Sequence, residues 1–96
     1  GKATILFRLE RYEDAINAAE KSLELEENGA AYYWMALAYG RLEQYSKALT
    51  AINKSILLDG GDMWSYKIQS EILGALGNSK AAEKAYKKAR ELGLDE

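Results

Sequence analysis

Apolar residues recur along this chain at helical spacing. Ala15, Ile16, Ala19 and Leu23 share one face of a segment over 12–25, in the three- and four-residue steps of an amphipathic α-helix. The same steps predict helices over 2–9, 30–42, 45–58, 63–76 and 79–92, giving six helices in three pairs. Polar or glycine-bearing breaks separate them: Glu10-Arg11, Glu26-Glu27-Asn28-Gly29, Asp59-Gly60-Gly61-Asp62 and Gly77-Asn78. Asn28 stands where its side-chain oxygen can cap the helix that follows. Turns of two or three residues inside a pair make the paired helices antiparallel neighbours.

The pattern then repeats as a whole. Ala15 returns as Ala48 and Ala82, at spacings of 33 and 34 residues. Lys21, Lys54 and Lys88 keep the same register, as do Leu25, Leu58 and Leu92. Upstream, Leu9, Leu42 and Leu76 recur, with Leu6, Tyr39 and Leu73. A fixed period of this size means stacked helix pairs rather than one closed core. The expected fold is all-α, an α-solenoid in a single domain over 1–96. Its units are a partial first repeat (1–28), a second (29–62) and a third (63–96).

The repeating residues resemble the tetratricopeptide repeat, whose pattern runs W-x2-L-G-x2-Y, then A-x3-F, then P. The second unit has Tyr32-x2-Met35-Ala36-x2-Tyr39 and then Ala48-x3-Ile52. The third has Tyr66-x2-Gln69-Ser70-x2-Leu73 and then Ala82-x3-Tyr86. The first keeps only Ala3-x2-Leu6 and Ala15-x3-Ala19. The resemblance implies a right-handed superhelix. In it, small residues (Ala3, Ala36, Ser70 facing Ala15, Ala48, Ala82) let the two helices of a unit approach closely. Two departures stand out: no unit ends in proline, and Gln69 replaces an apolar residue.

The two ends differ. Gly1 already corresponds in register to Trp34 and Ile68, so the chain reads as a piece of a longer array with sequence missing upstream. At the other end, Ile16 and Leu49 give way to Glu83, and Leu23 and Ile56 to Arg90. Terminal repeats need a polar outer face. The last helix is therefore expected to cap itself, with the array ending near Glu96. At the open end, Ile5, Leu6, Phe7 and Leu9 sit on a stub too short to be stable alone. Pairing of two such ends into a homodimer is expected, since a two-fold contact closes on itself.

Composition narrows the function. The chain is 48% hydrophobic and 29% charged, a globular balance. Its formal charge of −2, with both signs mixed, speaks against nucleic-acid binding, which normally shows a basic stripe. No run has the length of a membrane span and no signal-peptide pattern opens the chain, so no membrane partner is expected and a cytoplasmic location is the default. Histidine and cysteine are absent. That removes disulfides, the common zinc sites, and Ser-His or Cys-His nucleophiles. Glu20 and Glu24 share a helix face, and Lys80, Lys84, Lys87 and Lys88 interleave with Glu83 and Glu91. The glutamates read as a solvated face with modest like-charge repulsion rather than an acid/base or divalent-metal pair, and the lysines as four-residue ion pairs on an exposed face, with a basic docking patch as the alternative. Gly60-Gly61 lacks the Lys-Ser/Thr of a phosphate loop. Neither a cofactor nor an enzyme is expected.

The candidate site is a surface. Over 30–42 the helix carries two apolar stripes. Tyr32, Met35, Ala36, Tyr39 and Leu42 face their own repeat, while Ala30, Tyr33, Trp34, Leu37 and Arg41 form the second. Trp64 and Ile68 continue that second stripe with Lys67 and Glu71, and Phe7 and Arg8 continue it on the first helix. In the family resembled, successive first helices line a concave groove. Trp34 and Ile68 could equally serve inter-repeat packing, whereas Tyr33, Leu37 and Trp64 are expected on the groove. Some family members clamp a chaperone's C-terminal carboxylate with Lys, Asn and Arg. Here Thr4, Trp34 and Ile68 stand at the matching places, so that clamp is not expected.

The expected function is a non-catalytic interaction module that binds a short apolar or aromatic peptide or helix. An acidic feature of the ligand would meet Arg8, Arg41 and Lys67. Three groove helices about 10 Å apart would span about six extended residues. The alternative is a structural segment whose aromatic face is covered by self-association or by other repeats.

Overall fold

A computed structural model describes residues 11–94 of the chain. Five α-helices follow one another there: α1 Tyr12–Leu25, α2 Gly29–Arg41, α3 Tyr45–Asp59, α4 Met63–Ala75 and α5 Ser79–Glu91. The helix expected over 2–9 lies outside the described residues. The others match the sequence pattern to within one residue at each end, and the caps explain the shifts. Asn28 accepts from the Ala31 amide at 2.7 Å, so α2 starts at Gly29. Leu42 (φ −86, ψ 4) is the C-cap that ends it.

The helices stack as antiparallel pairs, α2 against α3 and α4 against α5, with α1 on α2 and α3 on α4 joining successive units. Helices α2 and α4 also meet directly. The centre is a cluster of Ala36, Ala48, Ala51, Ile52 and Ile72, with Met35, Tyr39, Leu49 and Ile56 packed around it. Ala36 and Ala48 are completely buried, the close approach that small residues on both helices permit. In the third unit the equivalent pair is Ser70 and Ala82, and the Ser70 hydroxyl donates to the Ala82 carbonyl at 2.8 Å. A second cluster, Ala15, Ile16 and Ala38, holds α1 onto α2.

Gln69 and the missing proline of the second unit both have local reasons. Gln69 does not face apolar neighbours alone: its amide donates to Asn53 Oδ1 at 2.8 Å, tying α4 to α3 of the preceding unit. The second unit closes on Gly60 at φ 82, a backbone conformation closed to proline, whose ring holds φ near −65°. At the far end Glu83 and Arg90 are exposed, whereas Ile16, at the register of Glu83 in the first unit, is buried.

Candidate functional site

The first helices of the second and third units, α2 and α4, lie side by side, and the surface between them carries two clefts. One, of about 310 Å³, has an apolar floor of Ala36, Leu37, Ile68 and Ile72, with Arg41 and Glu71 among its lining residues. The other, of about 340 Å³, lies where the N-terminal ends of the two helices converge and is walled by Tyr33, Trp34 and Trp64. Helical rise puts the two clefts about 10 Å apart along α2, since seven residues separate Trp34 from Arg41.

The aromatic groups are graded in exposure. Trp64 is 48% exposed and the Lys67 ammonium lies over its ring at 5.7 Å. Trp34 is half-buried and meets Tyr33 edge-to-face, with centroids 5.5 Å apart and planes at 85°. Tyr33 goes deeper than expected. It packs on the Ala36–Ile52–Ile72 cluster, because its place on α2 turns toward the α3–α4 seam as well as toward the groove. That burial raises its hydroxyl pKa above the usual tyrosine value. The Asp62 and Glu71 charges add to the rise and Lys67 opposes it. Ile68 likewise packs against the core cluster while lining the apolar cleft. Leu37 is half-buried there and Arg41 is exposed.

Of the residues expected on the groove, Tyr33, Trp34, Leu37, Arg41, Trp64, Ile68 and Glu71 line one cleft or the other. Lys67 does not line the Arg41 cleft; it stands over Trp64 instead. Phe7 and Arg8 lie outside the described residues, as do Ile5, Leu6 and Leu9 of the expected pairing surface. Two acidic residues escaped the sequence pattern because they read simply as loop. Asp62 caps α4 by accepting from the Ser65 amide at 2.8 Å. Asp59 ends α3 with its carboxylate against Gly29, where a side chain larger than hydrogen would collide with it. Both line the aromatic cleft. The cue for Asp62 was its N-cap position before an apolar run; no cue marked Asp59.

Among the described residues no group of three or more His, Cys, Asp or Glu is arranged to hold a metal ion. No described helix is long and apolar enough to cross a membrane.

A family model described as anaphase-promoting complex, cyclosome, subunit 3 matches residues 8–89. A TPR repeat-containing protein of Methanocaldococcus jannaschii is 34% identical over 82 residues, which is 84% of this chain and 14% of that relative. Among solved structures, the MamA protein superposes with a TM-score of 0.85 at 27% identity, covering 93% of this chain and 49% of MamA. A MamA segment from Desulfovibrio magneticus RS-1 gives 0.86 at 25% identity, covering 95% of this chain and 52% of its own. The C-terminal part of a TPR repeat-containing protein from Cytophaga hutchinsonii shares the fold, with a TM-score of 0.85 at 22% identity over 96% of this chain and 37% of its own.

Proposed function

Because the chain belongs to the tetratricopeptide-repeat family, we propose that it is a non-catalytic interaction module whose α2–α4 groove binds a short apolar or aromatic segment of a protein partner. The observation that carries this reading is Trp64. A tryptophan left 48% exposed at the mouth of an aromatic cleft, beside a second cleft floored by Leu37, Ile68 and Ile72, has the composition of a binding hot spot. Apolar side chains grouped in one patch, rather than scattered singly, are what mark an interaction surface, and Tyr33, Trp34 and Trp64 stand together in one cleft. Arg41 would meet an acidic feature of the ligand at the apolar cleft.

Both clefts are near the lower end of the size range of ligand pockets, so each suits one or two side chains of an extended segment. The test is a random peptide array probed with the chain and with Trp64→Ala. Apolar and aromatic sequences should be enriched by the parent and lost by the variant. Enrichment of basic sequences poor in apolar residues would overturn the reading, as would an identical profile for Trp64→Ala.

A further inference from the structure

Helix α4 also lines a cleft on its other side, away from the groove. At about 100° per residue, Tyr66, Gln69 and Leu73 stand roughly opposite Trp64, Ile68 and Glu71. With Ala81, Lys84, Ala85 and Lys88 of α5 they enclose about 580 Å³, and Lys87 and Glu91 complete the lining. No helix covers it, because α3 and α5, the second helices of successive units, do not pack on one another. We propose that this cleft binds an acidic segment of a protein partner, with carboxylates of the segment at Lys84 and Lys88. The proposal stands apart from the α2–α4 groove reading.

The cleft exists because the third unit departs from the second. In the second unit Lys47 lies over Tyr39 at 5.9 Å and Lys54 over Tyr32 at 5.4 Å, so both ammoniums are engaged by rings of their own unit. One repeat later, Leu73 and Ala81 take the places of Tyr39 and Lys47. A ring and a long side chain are thereby removed from one spot. Tyr66 and Lys88 keep the places of Tyr32 and Lys54, yet both open onto the cleft and the ammonium does not cover the ring. Thr50 gives way to Lys84. Among the described residues no ion pair or ring contact engages Lys84, Lys87 or Lys88.

The sign of the occupant follows from the charges on each element around the cleft. Its lining sets three ammoniums against the single carboxylate of Glu91. Helix α4 adds no charged side chain there, since Asp62 and Glu71 line the clefts on its far side. Glu83 of α5 lines a different cleft. Helix α3 reaches Gln69 through the neutral Asn53, and its Lys47 and Lys54 are positive as well. The α5 C-terminus contributes only about −0.5, so the balance stays positive.

Spacing narrows the ligand further. Lys84 and Lys88 are one turn apart, about 6 Å along α5, close to the ~6.7 Å between alternate residues of an extended strand. Acidic residues at alternate positions therefore reach both ammoniums, while Leu73, Ala81 and Ala85 receive hydrocarbon. A purely apolar segment would strip water from the lysines without replacing those contacts. A nucleic acid would meet a chain of formal charge −2 and a single ring, where single strands are held by successive stacked rings.

The test is fluorescence anisotropy of a short labelled peptide alternating glutamate with alanine, against its glutamine counterpart, at low ionic strength where exposed charges are least screened. The acidic peptide should bind about fivefold more tightly. Lys84→Gln/Lys88→Gln should abolish that preference with the helical circular dichroism unchanged, because both side chains are exposed. Lys21→Gln/Arg41→Gln, which removes the same charge from other faces, should keep it. Leu73→Tyr/Ala81→Lys restores the side chains of the second unit and should weaken binding although the chain gains a positive charge. Equal binding of the glutamine peptide would overturn the proposal. So would loss of the preference in Lys21→Gln/Arg41→Gln, tighter binding by Leu73→Tyr/Ala81→Lys, or a single-stranded oligonucleotide of equal charge binding as tightly. None of these outcomes bears on the Trp64-dependent peptide profile that tests the groove.

Discussion

Glu43 and Gly77 end equivalent helices in the same left-handed turn, at φ 60 and φ 85. In each case the next amide reaches back to close the helix: Gln44 donates to the Tyr39 carbonyl and Asn78 to the Leu73 carbonyl, both at 2.9 Å. Gly93 continues the series at φ 116, with Leu94 donating to Ala89 at 3.0 Å. The left-handed region costs a residue with a Cβ about 1–2 kcal/mol, and among the described residues only Glu43 meets that cost. Glu43→Gly should therefore stabilise the chain. The gain is about 0.5–1 kcal/mol, after subtracting the extra entropy of glycine in the unfolded state. Gly77→Ala should lose about 1 kcal/mol. Urea midpoints at constant slope decide both.

Burial predicts an equally clear contrast on α3. Ile52 is fully buried between both units, while Leu57, five residues on, is 83% exposed. Ile52→Ala should cost about 2–5 kcal/mol, the range for cavity-forming truncation. That is a large share of the stability of a domain this size. Leu57→Ala should stay within about 0.5 kcal/mol. Similar losses for the two would mean that Leu57 is covered in solution, and a concentration-dependent midpoint would then identify self-association as the cause.

Capping offers a test that separates hydrogen bonding from charge. Asn28 and Asp62 each accept from the amide three residues on. Replacing either by alanine should cost about 1 kcal/mol, whereas Asp62→Asn should change stability by only a few tenths. Equal losses for Asp62→Ala and Asp62→Asn would show that charge, not the cap, holds the start of α4.

Alkaline pH should weaken the fold. Burial, chiefly, raises the pKa of Tyr32, Tyr33 and Tyr39, with Glu27 adding to the first and Glu20 to the last. The neutral phenol is thus favoured in the folded state, and the unfolded chain binds fewer protons once pH passes the ordinary tyrosine value near 10. Stability is then complete below about pH 10 and falls as pH rises toward the folded values. Urea midpoints between pH 8 and 11 should show that decline, shallower in Tyr33→Phe. A flat profile would contradict the raised values of these hydroxyls.

The sequence by itself determined the helices and their order. Apolar steps of three and four residues placed α1 to α5, and the return of Ala15 at Ala48 and Ala82 set the stacking, because a helix pair with one apolar face must cover it with the next pair. It also put Leu37 on a second apolar stripe and Trp64 with Ile68 on its continuation, since such a stripe is visible in the register of a single helix. Only the tertiary structure decided how deep each goes and what stands beside it. Tyr33 is drawn onto the core cluster because inter-unit rotation, which no one-dimensional period encodes, turns its side of α2 toward α3 and α4. Gln69 finds Asn53 across the junction between units. Asp59 and Asp62 meet Trp34 and Trp64 in one cleft, though they stand at the end of α3 and the start of α4, at least thirty residues beyond the start of α2. Their convergence depends on the angle at which the third unit stacks on the second, and that angle is the sum of many contacts rather than a property of any segment.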